Sequence, residues 1–273
     1  MIRPVWSEAL GMSKARNEPQ WLRFGSGEGY FDRSHRPLQC LIFIAPLLII
    51  YQVGAVLHPW SAVRGQTHNI IAFELMLNFF SLFGAVGSYL PPLAVVAILL
   101  GWHVARKDPL KFEPGLYVAM GAESFLWAVA LVILFLAVAH GMTMQAVSHP
   151  VEHVMNKLSW QTQVVLSIGA GIYEELLFRL VLITVLNMIL VDLFGMSVTK
   201  AIPVIIVSSA VLFSLYHFLG NQQPTWGAFM IRTIAGIYFA GIFIFRGFGI
   251  DVATHAGYDL MVVGLDIMSH HHG

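Results

Sequence analysis

Charge is the property this chain has least of. Lys plus Arg number 15 and Asp plus Glu also 15 in 273 residues, so charged residues make up 11%, against roughly 25% in a soluble domain. The two signs cancel, and net charge therefore gives no reason to expect a nucleic-acid or an acidic partner. Cys40 is the single cysteine, which excludes an internal disulfide and a thiolate zinc site. No cleavable signal peptide is expected, because residues 1–37 are mostly polar and precede the first apolar run; that first span would itself direct insertion. No internal repeat or low-complexity segment stands out.

What the chain has in quantity is apolar length. Hydrophobic residues make up 57% and the mean hydropathy is +0.72, values of an all-α, polytopic membrane protein folded as a helical bundle. A span needs about 20 apolar residues. Stretches of that kind lie near 38–58, 86–105, 116–140, 162–190, 201–219, 228–246 and 249–267, which predicts seven membrane helices. The apolar stretch 70–83 is short and contains Glu74 and Asn78; it reads as an interfacial or re-entrant helix, and as an eighth crossing in the alternative. The expected organisation is a tail over 1–37, soluble or lying on the membrane surface, followed by one helical domain over 38–269. With the N-terminus inside, inner segments hold eleven basic residues and outer ones only Arg64 and Lys157, so a cytoplasmic N-terminus is expected.

Against this background Glu174-Glu175-Leu176-Leu177-Phe178-Arg179 is conspicuous. A charged group at mid-bilayer costs about 2.5–3.5 kcal/mol even on lenient insertion scales, so three in six residues need partners or water. On a helix Glu175 and Arg179 share a face and pair, whereas Glu174 is turned about 100° away and needs another partner. That spare carboxylate is the first candidate for chemistry. Two later spans repeat the four-residue spacing: Phe213 with His217, and His255 with Asp259. A lone histidine in a span is as readily a packing residue as a catalyst, but three helices with inward-facing polar groups form a more specific pattern.

Glu-Glu-x-x-x-Arg, Phe-x-x-x-His and His-x-x-x-Asp, in that order, resemble the motifs of the CAAX prenyl endopeptidase and bacteriocin-processing (CPBP or Abi) family of intramembrane proteases. The resemblance covers about residues 160–267 and includes the glycine-rich Gly236-Ile237-Tyr238-Phe239-Ala240-Gly241. It implies an endopeptidase in which Glu174 is the general base and His217 its partner in activating a water. His255 and Asp259 would polarise the scissile carbonyl and stabilise the oxyanion, and Arg179 would hold Glu175. Many members carry Asn where this chain has Asp259. No cofactor is expected; two His and two Glu are compatible with zinc, but the glutamate-and-water reading uses every motif residue without it. The implied partners are a membrane-anchored peptide or protein substrate and the lipid bilayer, in a bacterial inner membrane. The rival readings are a non-catalytic scaffold or bacteriocin-immunity protein on the same fold, and a transporter with a Glu-His proton relay, against which stands the lack of an evident inverted repeat.

Other polar residues have simpler explanations. His149-Pro150-Val151-Glu152-His153 fits an inverted-zincin pattern, yet it lies in a loop with no recognisable third ligand, and Pro150 suits the first turn of the next helix. Glu123 is expected to bond a neighbouring helix, or in the alternative to line the interior cavity, and Arg232 to snorkel toward headgroups. Gly169, Gly171, Gly236 and Gly241 read as close helix contacts. His270-His271-His272 is explained by a surface tail as well as by metal binding.

Overall fold

A computed structural model describes residues 29–57, 70–141, 158–219 and 224–270, and every regular element among them is helical. In chain order these are α1 (Tyr30–Ser34), α2 (Pro37–Leu57), α3 (Ile71–Ser81), α4 (Leu90–Arg106), α5 (Pro114–Gly141), α6 (Trp160–Leu193), α7 (Val198–Leu219), α8 (Trp226–Arg246) and α9 (Phe248–His270). Five of them, α2, α5, α6, α7 and α8, are long and apolar enough to cross a membrane. α4 is shorter, and the acidic residues of α9 interrupt its apolar run, although both fall where a span was expected. Observed boundaries lie within a few residues of the expected ones, with α4 starting latest relative to expectation. α3 rises only about 16 Å at 1.5 Å per residue, half of a bilayer core, as its short apolar stretch suggested.

Helix α1 lies inside the segment expected to be a tail, with Tyr30, Arg33 and Ser34 buried. The rest of that expected tail, with the aromatic residues Trp6, Trp21 and Phe24 that could dip into headgroups, lies outside the described residues, as do His149–His153 and His271-His272.

The bundle is held by close helix contacts where glycine permits them. A methyl group on Gly171 would come 2.7 Å from the Ala256 nitrogen, and one on Gly236 2.8 Å from the Ala210 Cα. These two contacts draw α6 onto α9, and α7 onto α8, so each of the three motif-bearing helices α6, α7 and α9 has one such contact. Gly169 meets Tyr51 and Ile70 in the same way, but Gly241 faces open space; the expected contact at Gly241 is not made, since five residues after Gly236 it is turned about 140° from it on the helix.

α6 is not a uniform α-helix. After Glu175 it widens into π-type turns over Leu176–Ile183, a local change frequent at functional sites. Widening frees backbone carbonyls, and a neighbour uses one: Ser209 Oγ donates to the Phe178 carbonyl at 3.0 Å. Ser159 caps the helix by accepting from the Thr162 amide.

Candidate active site

The three motifs converge. Glu174 and Glu175 end the regular α-helical part of α6, His217 lies in the tighter last turn of α7, and His255 and Asp259 lie one turn apart on α9. Glu175 is fully buried and paired on both sides. Its Oε2 lies 2.9 Å from Arg179 Nε, and its Oε1 accepts from His255 Nδ1 at 2.6 Å. The Arg179 guanidinium lies over the Phe213 ring at 4.3 Å and near Phe239 at 5.5 Å, so aromatic faces as well as a carboxylate compensate its burial. Phe213 thus supports both Arg179 and His217, whose rings meet edge to face at 4.8 Å.

Glu174 stands apart from that pair. Its Oε1 accepts from the Tyr216 hydroxyl at 3.1 Å. Its Oε2 faces His217 Nε2 at 3.8 Å and His255 Nε2 at 4.0 Å, longer than hydrogen bonds. The ring orientations follow from the opposite nitrogens. His217 Nδ1 meets the Phe213 carbonyl at 2.7 Å; a carbonyl only accepts, so Nδ1 carries the hydrogen and Nε2 is turned toward Glu174. His255 is oriented by Glu175 in the same manner and stacks on Phe239 at 4.4 Å. Its Nε2 lies 3.7 Å from Asp259 Oδ2.

All four expected site residues, and the supporting Glu175, Arg179 and Phe213, therefore share one cluster. Three further residues belong to it. Tyr216 touches Glu174 directly, Phe239 stacks on His255, and Asp251, one turn before His255, is fully buried beside Glu175. Phe239 lies in the glycine-rich segment and Asp251 continues the four-residue spacing Asp251, His255, Asp259 along α9; Tyr216 carried no such signal. Arg232 lies with its guanidinium 5.3 Å from the Phe218 ring. Glu123 is elsewhere: it bonds Arg246 of α8 and Tyr30 of α1, so it joins helices as expected. Among the described residues no three His, Cys, Asp or Glu side chains converge in a metal-binding arrangement.

A dry carboxylate with one pinned and one open oxygen, facing two oriented imidazoles, is an arrangement for taking a proton from a water held between them. Residues 156–261 match the family model described as type II CAAX prenyl endopeptidase Rce1-like. No curated protein and no solved structure matches the chain.

Proposed function

Because the chain belongs to the CAAX prenyl endopeptidase and bacteriocin-processing family, we propose that it hydrolyses a peptide bond of a membrane-associated protein or peptide inside the bilayer. The observation that carries this reading is Glu174 Oε2, which is free of the Glu175–Arg179 pair and faces His217 Nε2 at 3.8 Å. Two acceptors this close suit one water, which gives one hydrogen to each and leaves its lone pairs for a carbonyl carbon. Glu174 takes the proton as the water attacks, and His217 holds the water in line. His255 Nε2 and Asp259 Oδ2 lie 3.7 Å apart; in this proposal each carries a hydrogen, His255 as the imidazolium and Asp259 as the acid, and both donate to the carbonyl oxygen as charge develops on it. Glu175 sets the His255 ring, and Arg179 holds Glu175.

The reaction proceeds without a resident metal in this proposal. Purified protein should contain no stoichiometric zinc, and His149→Ala with His153→Ala should leave turnover intact; zinc that disappears on His217→Ala would overturn this part. The membrane is the bacterial inner membrane and the N-terminus is cytoplasmic. In support, the segments assigned to the inside meet at one end of the bundle: Arg33 pairs with Glu113, and Gln39 donates to the Lys111 carbonyl at 2.8 Å.

The test is Glu174→Gln, which keeps size and hydrogen bonding but removes the base. At matched folded levels its turnover should fall about 10²–10⁴-fold. Membrane peptides from cells with the wild-type protein and with this variant should then differ at the substrate's cleavage site. Near-normal turnover would sink the assignment.

A further inference from the structure

Tyr216 has no part in the motif pattern, yet among the described residues it makes the one hydrogen bond under 3.5 Å to the Glu174 side chain. Its ring is 5% exposed and packs against Phe178 at 4.9 Å and His217 at 4.8 Å. The hydroxyl also accepts from the Ala72 amide at 2.8 Å. An amide nitrogen only donates, so the single hydroxyl hydrogen is left for Glu174 Oε1. The donor direction is fixed by the backbone of α3.

Ala72 is itself held firmly. It is fully buried in the first turn of α3, where amides have no intrahelical acceptor. The next residue, Phe73, packs edge to face on Tyr173 at 5.1 Å. Tyr173 precedes Glu174 in α6, and it also meets Tyr51 of α2 at 5.1 Å. The start of α3 is therefore fastened to the backbone that presents Glu174, and it supplies the amide that aims Tyr216.

We propose that Tyr216 is a positioning residue for Glu174 and that α3, outside the family-matched stretch, is part of the active site through the Ala72 amide. By engaging Oε1, the hydroxyl stops the carboxylate from rotating and keeps Oε2 toward His217 and His255. This inference rests on Glu174 being the base. Its effect falls on turnover and not on substrate affinity, because Tyr216 orients a reacting group.

The test compares Tyr216→Phe, Glu174→Gln and the double variant in detergent or vesicles, at matched folded levels, with a fluorogenic membrane-peptide substrate. Tyr216→Phe should lower kcat about 10–10²-fold with KM little changed. The double variant should be no slower than Glu174→Gln alone, since the hydroxyl acts through that carboxylate; a merely structural role would multiply the two losses. Tyr238→Phe removes a hydroxyl that bonds the Trp127 carbonyl at 2.7 Å and serves as the control with unchanged kcat. Ala72→Pro deletes the amide donor in a helical first turn that tolerates proline, and it too should lower kcat. It decides the matter if Tyr216→Phe does not fold. Unchanged kcat in Tyr216→Phe, or multiplied losses, with Glu174→Gln inactive, overturns the positioning role alone; unchanged kcat in Ala72→Pro overturns the part assigned to α3. An active Glu174→Gln overturns the base and this inference together.

Discussion

The cluster around Glu123 and the cluster around Glu174 bury the same kinds of group in one bundle and treat them differently. Glu123 is met at both oxygens by Arg246, by the Tyr30 hydroxyl at 2.6 Å and by the Trp127 indole at 3.2 Å. The Arg246 guanidinium lies 4.1 Å from the Phe31 ring and also reaches Ser34 at 3.3 Å. Each oxygen of that carboxylate has a donor in contact. Glu174 has one donor, and the groups facing its second oxygen stand at 3.8 and 4.0 Å. A saturated charge joins helices; in the proposed mechanism the unsaturated one accepts a proton. Stability and chemistry should therefore separate when the two clusters are broken in turn.

The largest effects come from their central charges. Arg246→Met leaves the part-buried Glu123 without its cation, and should cost up to about 3 kcal/mol of stability. Turnover per folded molecule should stay near wild type. Glu174→Gln should do the reverse, with the turnover loss given above and a stability change within about 1 kcal/mol. Thermal unfolding and turnover, measured on both variants in one detergent, check the separation; a stable but inactive Arg246→Met would erase the contrast.

Glu175 stands between the two cases, because it is saturated like Glu123 yet orients His255. Glu175→Gln should lose stability by breaking a buried pair, and turnover by releasing the imidazole. Both readouts should move, each by less than in the preceding pair. A variant that lost only stability would detach Glu175 from the chemistry.

A smaller effect is expected of the conservative change at Asp259, whose Oδ2 lies 3.7 Å from His255 Nε2. A fixed negative charge beside a developing oxyanion opposes the reaction, so its role in the proposal is hydrogen bonding. Asp259→Asn keeps the shape and should retain most of the turnover, whereas Asp259→Leu should abolish it. An Asn variant as inactive as Leu would return a charge role to consideration.

Much of this contrast was legible along the chain, for reasons of spacing. Four-residue intervals put Glu175 with Arg179, Phe213 with His217 and His255 with Asp259 on single helix faces, and helix geometry alone carries that information. Spans followed from apolar length. Contacts between distant helices did not, because periodicity says which face is inward and not what it meets. Tyr216 reaches Ala72 across 144 residues and Glu123 reaches Arg246 across 123; nothing local marks either pairing. The buried helix α1 was hidden for another reason. Tyr30-Phe31-Asp32-Arg33-Ser34 is too short and too polar to show an apolar stripe, and its place depends on Glu113, Glu123 and Arg246.

The mildest way to probe the saturated cluster is acid. His35 follows α1, and its Nδ1 meets the Phe31 carbonyl at 2.6 Å while Cδ2 packs where a Cβ on Gly247 would come within 3.0 Å. Burial, with the Arg246 charge adding to it, lowers its pKa from 6.5 to about 4; Arg106 acts in the same direction and Glu123 offsets part of it. A histidine with a depressed pKa in the folded state is neutral there while the unfolded chain takes up a proton below about 6.5. Its contribution to stability is therefore fully present above that pH and is lost as the pH falls from about 6.5 toward 4. Acidification in this window should loosen α1 from Glu123 and Arg246. In His35→Asn the amide keeps a donor for the Phe31 carbonyl but does not titrate, so melting temperature should fall less between pH 6.5 and 4.5 than in wild type. Equal slopes in both proteins would show that α1 docking is independent of His35, and that the acid sensitivity of this cluster lies in its carboxylates.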